Sequence, residues 1–211
     1  DREASAIQVL REKRVDGLLI TSVQCGKVLL EPLLKDKTPF VLLNRYVDGL
    51  VADCVLNDNF MGAYLATAHL CSLGHRRIMH LTGPGNISSV RERMKGYRKA
   101  LEEVQIDFDS QMVLHTNLRL DDGYQKVLHY FQTAKHLPTA VFAYSDLLAF
   151  GVLKALRELG ISVPGQVALV GYDDIDFAQV IEPALTTVSQ PAFEIGFKGT
   201  EILLEKINNT S

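Results

Sequence analysis

Short β-branched apolar runs alternate along the whole chain with stretches of helical periodicity, the pattern of a parallel sheet whose crossovers are helices. The apolar runs predict strands at 15–20, 40–43, 54–56, 78–81, 112–114, 140–144 and 167–170. Apolar residues recurring every three or four positions predict helices at about 2–13, 59–73, 89–104, 122–136, 147–159 and 192–207. Asp58, Ser89 and Asp146 can cap amino termini, Ser89 with Glu92 makes a capping box, and Gly74 and Gly160 are placed to end helices. Neither a repeat nor a low-complexity linker interrupts the pattern, so any domain boundary has to be a short crossing. The chain opens on a helix, whereas a doubly wound sheet starts with a strand, which predicts missing elements in front of it.

Composition narrows the class. The 211 residues, 47% hydrophobic and 22% charged, suit one large domain or two small ones and exclude a disordered chain or a disulfide-stapled mini-protein. A chain of this length buries roughly 70% of the surface its unfolded form exposes. Twenty-two basic against 25 acidic residues leave −3, with no block of like charge, which argues against non-specific binding to polyanions. Cys25, Cys54 and Cys71 are odd in number and lack metal-binding spacing, the usage expected of small core residues in the reducing cell interior. No run of 18 apolar residues is present, and neither membrane nor cofactor is expected.

In open α/β sheets ligands bind beyond the carboxyl ends of the strands, so the residues that follow each strand carry the candidate chemistry. Thr21 and Ser22 follow the first predicted strand, Asn44 and Arg45 the second, and Thr82 the fourth. His115, Thr116 and Asn117, then Ser145 and Asp146, then Asp173 and Asp174 follow later ones. Polar loops and helix caps account for any one of these singly. Together they favour a cleft lined with hydrogen-bonding groups.

Arg93 is more specific. On helix 89–104 the apolar stripe is Val90, Met94, Tyr97, Leu101 and Val104, and a step of about 100° per residue puts Arg93 within about 60° of its centre. An inward guanidinium near the positive end of a helix needs a carboxylate or polar ligand to offset its desolvation, and Asp173 is the partner in view. Snorkelling past Val90 into water is the alternative. His69 and His75 lack the spacing of a helical metal pair, and no metal site is expected. Gly83-Pro84-Gly85-Asn86 reads as an ordinary turn, and Cys25 has no identifiable histidine partner.

Several stretches in order resemble one family. They are Arg14-Val15-Asp16-Gly17-Leu18, Asp58-Asn59 with Gly62-Ala63-Tyr64, and Leu73-Gly74-His75-Arg76-Arg77-Ile78. Arg93-Met94-Lys95-Gly96-Tyr97, Leu159-Gly160-Ile161-Ser162-Val163-Pro164, Val170-Gly171-Tyr172-Asp173-Asp174 and 183–191 continue the series. The chain resembles the regulatory core of the lactose and galactose repressors, bacterial transcription regulators similar in this part to periplasmic sugar-binding proteins.

The resemblance implies an α/β fold of the periplasmic-binding-protein type I, with two Rossmann-like α/β/α subdomains and parallel sheets. One subdomain would be 1–57 with 191–211, incomplete at its start, and the other 58–190. A helix-turn-helix DNA-binding domain would be absent from this chain, so DNA would be reached only through it. The ligand implied is a small effector, a sugar or related metabolite, bound by Thr21, Asn44, Ser89, Arg93, Leu118, Ser145, Asp173 and Gln190. Leu118 stands where several members place a stacking ring, and Asn44 where some carry aspartate. A homodimer is implied too, with Phe150 and Ile181 at its interface, where large apolar residues would otherwise face water. The expected function is thus an effector-sensing, dimerising domain that is cytoplasmic and not an enzyme. The alternative on the same fold is a secreted receptor that hands a sugar to a transporter. An α/β enzyme would rest on fold analogy alone, because no nucleophile, base and orienting group can be assembled.

Overall fold

The computed structural model describes residues 2–21 and 26–210. Ser22 and Cys25, singled out above, lie outside the described residues. Contacts divide the chain into two compact units. One comprises the chain up to Asn57, Ile87–Ser89 and the stretch from Pro191 onward; the other comprises Asp58–Asn86 and Val90–Gln190.

In the first unit a parallel sheet orders β1 (Leu18–Ile20), β2 (Phe40–Leu43) and β3 (Cys54–Val55) side by side. All four residues of β2 are buried because both faces are covered, the reason an unalternating apolar run becomes a central parallel strand. Phe40 and Leu42 cluster with Ile7 of α1 (Arg2–Glu12) and with Leu30 and Leu33 of α2 (Lys27–Lys35). Val41 and Leu43, a residue out of phase, meet Ile195, Ile202 and Leu203 of α8 (Ala192–Thr210). Helix α2 is missing from the sequence reading: it is nine residues long and holds Pro32, which argues against a helix interior.

The second unit has five parallel strands in the order β5-β4-β6-β7-β8, namely Val113–His115, Ile78–Thr82, Ala140–Ala143, Ala168–Asp173 and Thr186–Ser189. Helices α3 (Asn59–Ser72) and α4 (Ser88–Glu103) bury Ala63, Ala66, Leu70, Tyr97 and Leu101 in one cluster with Phe142, Val170 and Tyr172 of the sheet. Helix α6 (Asp146–Glu158) packs on β6 and β7, and α5 (Leu120–Thr133) packs on α6. Helix α3 ends as expected at Gly74, with φ +90°, and α6 ends at Gly160, with φ +70°.

Several local expectations are corrected. Helix α4 starts at Ser88, so Ser89 sits inside its first turn and not at a capping-box N-cap. Ser145, not Asp146, caps α6, its hydroxyl accepting from the Leu148 N–H at 3.3 Å. Helix α5 runs from Leu120 to Thr133, two residues early at the start and three short at the end. Strand β5 begins at Val113 because Met112 belongs to a short 3-10 turn, Ser110–Met112, capped by Asp109. Strand β8 was not among the predicted strands: Thr186-Thr187-Val188-Ser189 is short, mostly polar and at a sheet edge, where the hydrophobic signal fades. The four-residue helix α7 (Phe177–Val180) is likewise unannounced.

Candidate functional site

The carboxyl ends of β6, β7 and β8 converge on one buried cation. Arg93 stands in the second turn of α4 on its apolar face and is only 3% exposed. Its Nε donates to Asn59 Oδ1 at 2.8 Å, and Nη1 donates to the carbonyl of Tyr144, just beyond β6. The same Nη1 lies 3.8 Å from Asp173 Oδ1 at the end of β7. The guanidinium carbon also sits 3.4 Å from the centre of the Tyr172 ring and 4.2 Å from that of Tyr144. A buried cation is expensive unless paired and hydrogen-bonded, and here a carboxylate, a carbonyl, an amide oxygen and two π faces share the task.

Asp173 is positioned by strain and by a neighbour. Its φ of +121° is a region that side-chain-bearing residues rarely occupy, at a cost of order 1–3 kcal/mol. Gln190, following β8, donates its side-chain N–H to Asp173 Oδ1. Four of the residues singled out have positive φ: Asn44 at +63°, Leu118 at +63°, Asp173 at +121° and Asp174 at +57°. Backbone held in such regions clusters at ligand clamps, because the surrounding structure must over-determine it.

Arg93, Asp173 and Gln190 are thus brought together within the second unit, and Ser145 adjoins them in sequence through Tyr144. The Ser145 hydroxyl is used as the cap of α6. Leu118 accompanies Thr116, whose hydroxyl accepts from the Leu118 N–H at 3.1 Å and donates to the Thr82 carbonyl at 2.9 Å. The Leu118 side chain lies over Gly83, where an added Cβ would come within 2.7 Å of it. Ser89 is buried in the first turn of α4. Thr21 and Asn44 belong to the first unit, Thr21 exposed and Asn44 with its side-chain oxygen buried and without a hydrogen-bond partner. Phe150 and Ile181 are half-buried; the large apolar side chains left in water on the same elements are Leu147, Phe177 and Val180.

Three members of the arginine cluster escaped the sequence reading. Asn59 reads as a residue at a helix start beside Asp58, which does cap α3 by accepting from the Met61 N–H at 2.8 Å. The Tyr144 carbonyl has no side-chain signature, and Tyr172 reads as core. Asp146, read as a cap, instead accepts from the Ile175 N–H at 3.0 Å and the Thr187 hydroxyl at 2.6 Å, tying α6 to β8 and to the segment after β7. Burial pushes its carboxyl above the usual carboxylate range, opposed by those hydrogen bonds.

His80, beneath this end of β4, is fully buried between the rings of Tyr97 and Phe142, with centroids 5.1 and 4.6 Å away. Its Nδ1 faces the Phe142 carbonyl at 3.0 Å and so carries the proton, while Nε2 has no hydrogen-bond partner. Burial lowers its pKa to about 4, with the charges of Arg93 and His115 acting in the same direction.

A groove lined by Arg77, Asp109, Tyr130 and His136 lies at the opposite, amino ends of the strands, away from the end where open α/β sheets hold ligands. No group of three or more His, Cys, Asp or Glu among the described residues is placed to hold a metal. Among them, too, no helix is long and apolar enough to cross a membrane.

Residues 67–211 match the family described as periplasmic binding protein-like domain. Over 210 residues the chain is 34% identical to the transcriptional repressor PurR of Vibrio atlanticus, covering 99% of this chain and 63% of that protein. The chain therefore spans less than two thirds of the curated repressor it matches. Among solved structures, the transcriptional regulator CelR in complex with cellobiose superposes with a TM-score of 0.89 at 32% identity, covering 99% of this chain and 64% of that one. A LacI family transcriptional regulator of Enterococcus faecium with bound ribose gives 0.83 at 35% identity, with coverage of 98% and 76%.

Proposed function

Because this chain belongs to the lactose and galactose repressor (LacI) family, we propose that it is the effector-sensing and dimerising core of a bacterial transcription regulator. The observation that carries the reading is the buried Arg93, held by Asn59 and the Tyr144 carbonyl and facing Asp173 at the carboxyl end of the sheet. An effector there accepts from Arg93 and donates to Asp173, with Gln190, Ser145 and Leu118 as further contacts. A sugar or sugar derivative fits this set. The matched relatives include the repressor PurR, a ribose operon repressor and the transcriptional regulator DegA, which favours this reading over a transporter receptor and over an enzyme. The working place is then the cytoplasm, where DNA is met through a separate head.

The effector acts only through its differential affinity for the conformations of the regulator, a coupling of about 1–3 kcal/mol in typical cases. A homodimer presents two such cores to paired DNA half-sites. Its interface on the second unit includes Phe150 and Ile181, extended by the exposed Leu147, Phe177 and Val180.

The test is calorimetric titration of this chain with a panel of pentoses, hexoses, polyols and purines, preceded by a thermal-shift screen. A ligand at 100 times its Kd adds about 2.7 kcal/mol to stability. Arg93→Ala is expected to weaken the ligand found by at least about tenfold while circular dichroism stays that of the parent chain. Binding retained within about twofold would put the site elsewhere.

A further inference from the structure

We propose that the groove at the amino ends of β4 and β5 is a second small-molecule site, built for a nucleoside monophosphate, with the phosphate on Arg77 and Lys135 and the base against Tyr130. The inference is independent of the reading of the Arg93 cluster, which stands at the other end of the same sheet.

The groove has the size and the wall of a ligand site. It encloses about 800 Å³, within the range of about 300–1,000 Å³ in which small molecules are held. Three parts of the second unit frame it. Arg77 directly precedes β4, Asp109 and Met112 bracket the turn before β5, and Tyr130 stands on the last turn of α5 with Lys135 and His136 just beyond its end. The main chain at Arg77 is fixed, its carbonyl accepting from the Thr139 N–H at 2.9 Å and the Ala140 N–H at 3.4 Å. Tyr130 is half-buried and Met112 buried, so aromatic and apolar surface makes part of the wall, the kind on which a base stacks.

The polar groups around that wall are uncommitted. Arg76 is used by its own surroundings, Nη1 donating to the carbonyls of Cys71 and His75, both at 3.1 Å. Its neighbour Arg77 makes no side-chain hydrogen bond or ion pair among the described residues, so its whole fork of N–H donors is open, and such a fork matches the oxygens of a phosphate. The Lys135 ammonium, the His136 imidazole and the Tyr130 phenol likewise make none. Lys135, past the end of α5, also answers that helix's negative pole, but Arg77 belongs to another element and has no such duty. Burial pushes the Tyr130 phenol above its usual range, with Asp109 adding to the shift and Arg77 opposing it, so both charges are felt at the ring. Asp109 gives Oδ1 to the Gln111 N–H at 2.8 Å and keeps Oδ2 to accept from a ribose hydroxyl or an exocyclic amine. Arg77 and Lys135 outnumber this carboxylate and leave the lining net positive.

The experiment records calorimetry and thermal shifts with AMP, GMP, CMP and UMP, and then, for the tightest of them, with its nucleoside and with ribose 5-phosphate as its two halves. The proteins are the parent chain, Arg77→Ala, Arg77→Lys, Tyr130→Leu and Arg93→Ala. The expected result is a nucleotide Kd below about 1 mM, with each half weaker by about tenfold or more. Arg77→Ala and Tyr130→Leu each weaken the nucleotide by about tenfold or more, and Arg93→Ala stays within about twofold of the parent chain. Arg77→Lys weakens it too, because it keeps the charge and loses the fork. Arg77 is exposed and its side chain unbonded, so Arg77→Ala is expected to fold as the parent does. Binding by none of the nucleotides overturns the inference. So does binding that Arg93→Ala abolishes and Arg77→Ala spares, which would place the nucleotide at the Arg93 cluster. A nucleoside or ribose 5-phosphate that binds as tightly as the nucleotide overturns it as well, since one half of the site would then be idle.

Discussion

Arg93 Nε donates to Asn59 Oδ1 at 2.8 Å, joining the second turn of α4 to the first residue of α3 across 34 positions of sequence. Both side chains are buried, so neither is replaced by water when the other is removed. The bond therefore sets the direction in which the guanidinium points and, with it, the site.

Asn59→Ala deletes the acceptor and leaves a buried charged donor unsatisfied. A loss of about 1–3 kcal/mol in unfolding free energy is expected, together with a weaker effector complex, because Arg93 is freed to rotate. Asn59→Asp keeps an acceptor and is expected to restore stability but not affinity, since it adds a second carboxylate beside Asp173. Urea unfolding and calorimetry on the two variants separate these effects; equal affinity in all three chains would remove Asn59 from the site.

Gly96 is the next lever, and the sign is decided by what its missing side chain faces. In an open helix interior, glycine to alanine stabilises by about 1 kcal/mol. Here an added Cβ would stand 2.2 Å from the Phe60 carbonyl and 2.8 Å from the Tyr64 nitrogen, both backbone atoms of α3. Helices α3 and α4 have to separate, and the Arg93 to Asn59 bond one turn away is pulled with them. Gly96→Ala is expected to destabilise by about 2–4 kcal/mol. A variant as stable as the parent in thermal unfolding contradicts so close a helix crossing.

How far the sequence carries is visible in the same residues. Arg93 was legible because a cation on an apolar stripe breaks the helical pattern, and Asp173 because it follows the strongest late strand. Nothing in the pattern distinguished Asn59, whose position at the head of α3 already has a local explanation in the Asp58 cap. The acceptor supplied by Tyr144 is a main-chain carbonyl, which any residue would provide. Asp146 and Ser145 exchanged roles because both are good caps and only tertiary contacts choose between them. Strand β8 and helix α2 escaped for opposite reasons. The first is too polar to show a strand's hydrophobic signal, and the second contains a proline that packing overrides.

Asp146 gives a test of the sheet edge. Its carboxylate accepts from Ile175 and Thr187, and it reaches them only because Gly171 has no side chain: a Cβ there would lie 2.3 Å from Asp146 Oδ1. Asp146→Ala leaves a part-buried N–H and a part-buried hydroxyl unpaired and is expected to cost about 1–3 kcal/mol. Gly171→Ala, far from any charge change, is expected to destabilise comparably by forcing the carboxylate out. Hydrogen exchange at Ile175 reads the local effect directly. Unchanged protection of that amide in Asp146→Ala would show that the carboxylate does not hold it.

His80 predicts a pH dependence whose sign follows from its burial. The free side chain titrates near 6.5 and the buried one at about 4, so the unfolded chain binds the proton more readily in between. Stability from this group is therefore complete above about pH 6.5 and is lost as pH falls towards 4. From pH 7.5 to 5.0 the loss amounts to about 2 kcal/mol, out of a total of about 3. Asp146, with its carboxyl pushed up by burial, opposes the trend at the acid end, where protonation relieves a buried charge. His80→Gln keeps a donor for the Phe142 carbonyl but has nothing to titrate, so the comparison cancels every other group. Urea unfolding of both chains at pH 7.5, 6.0 and 5.0 is expected to show the parent losing about 2 kcal/mol more than the variant. Parallel curves would mean that His80 accepts its second proton without cost, and that the unpartnered Nε2 is open to water after all.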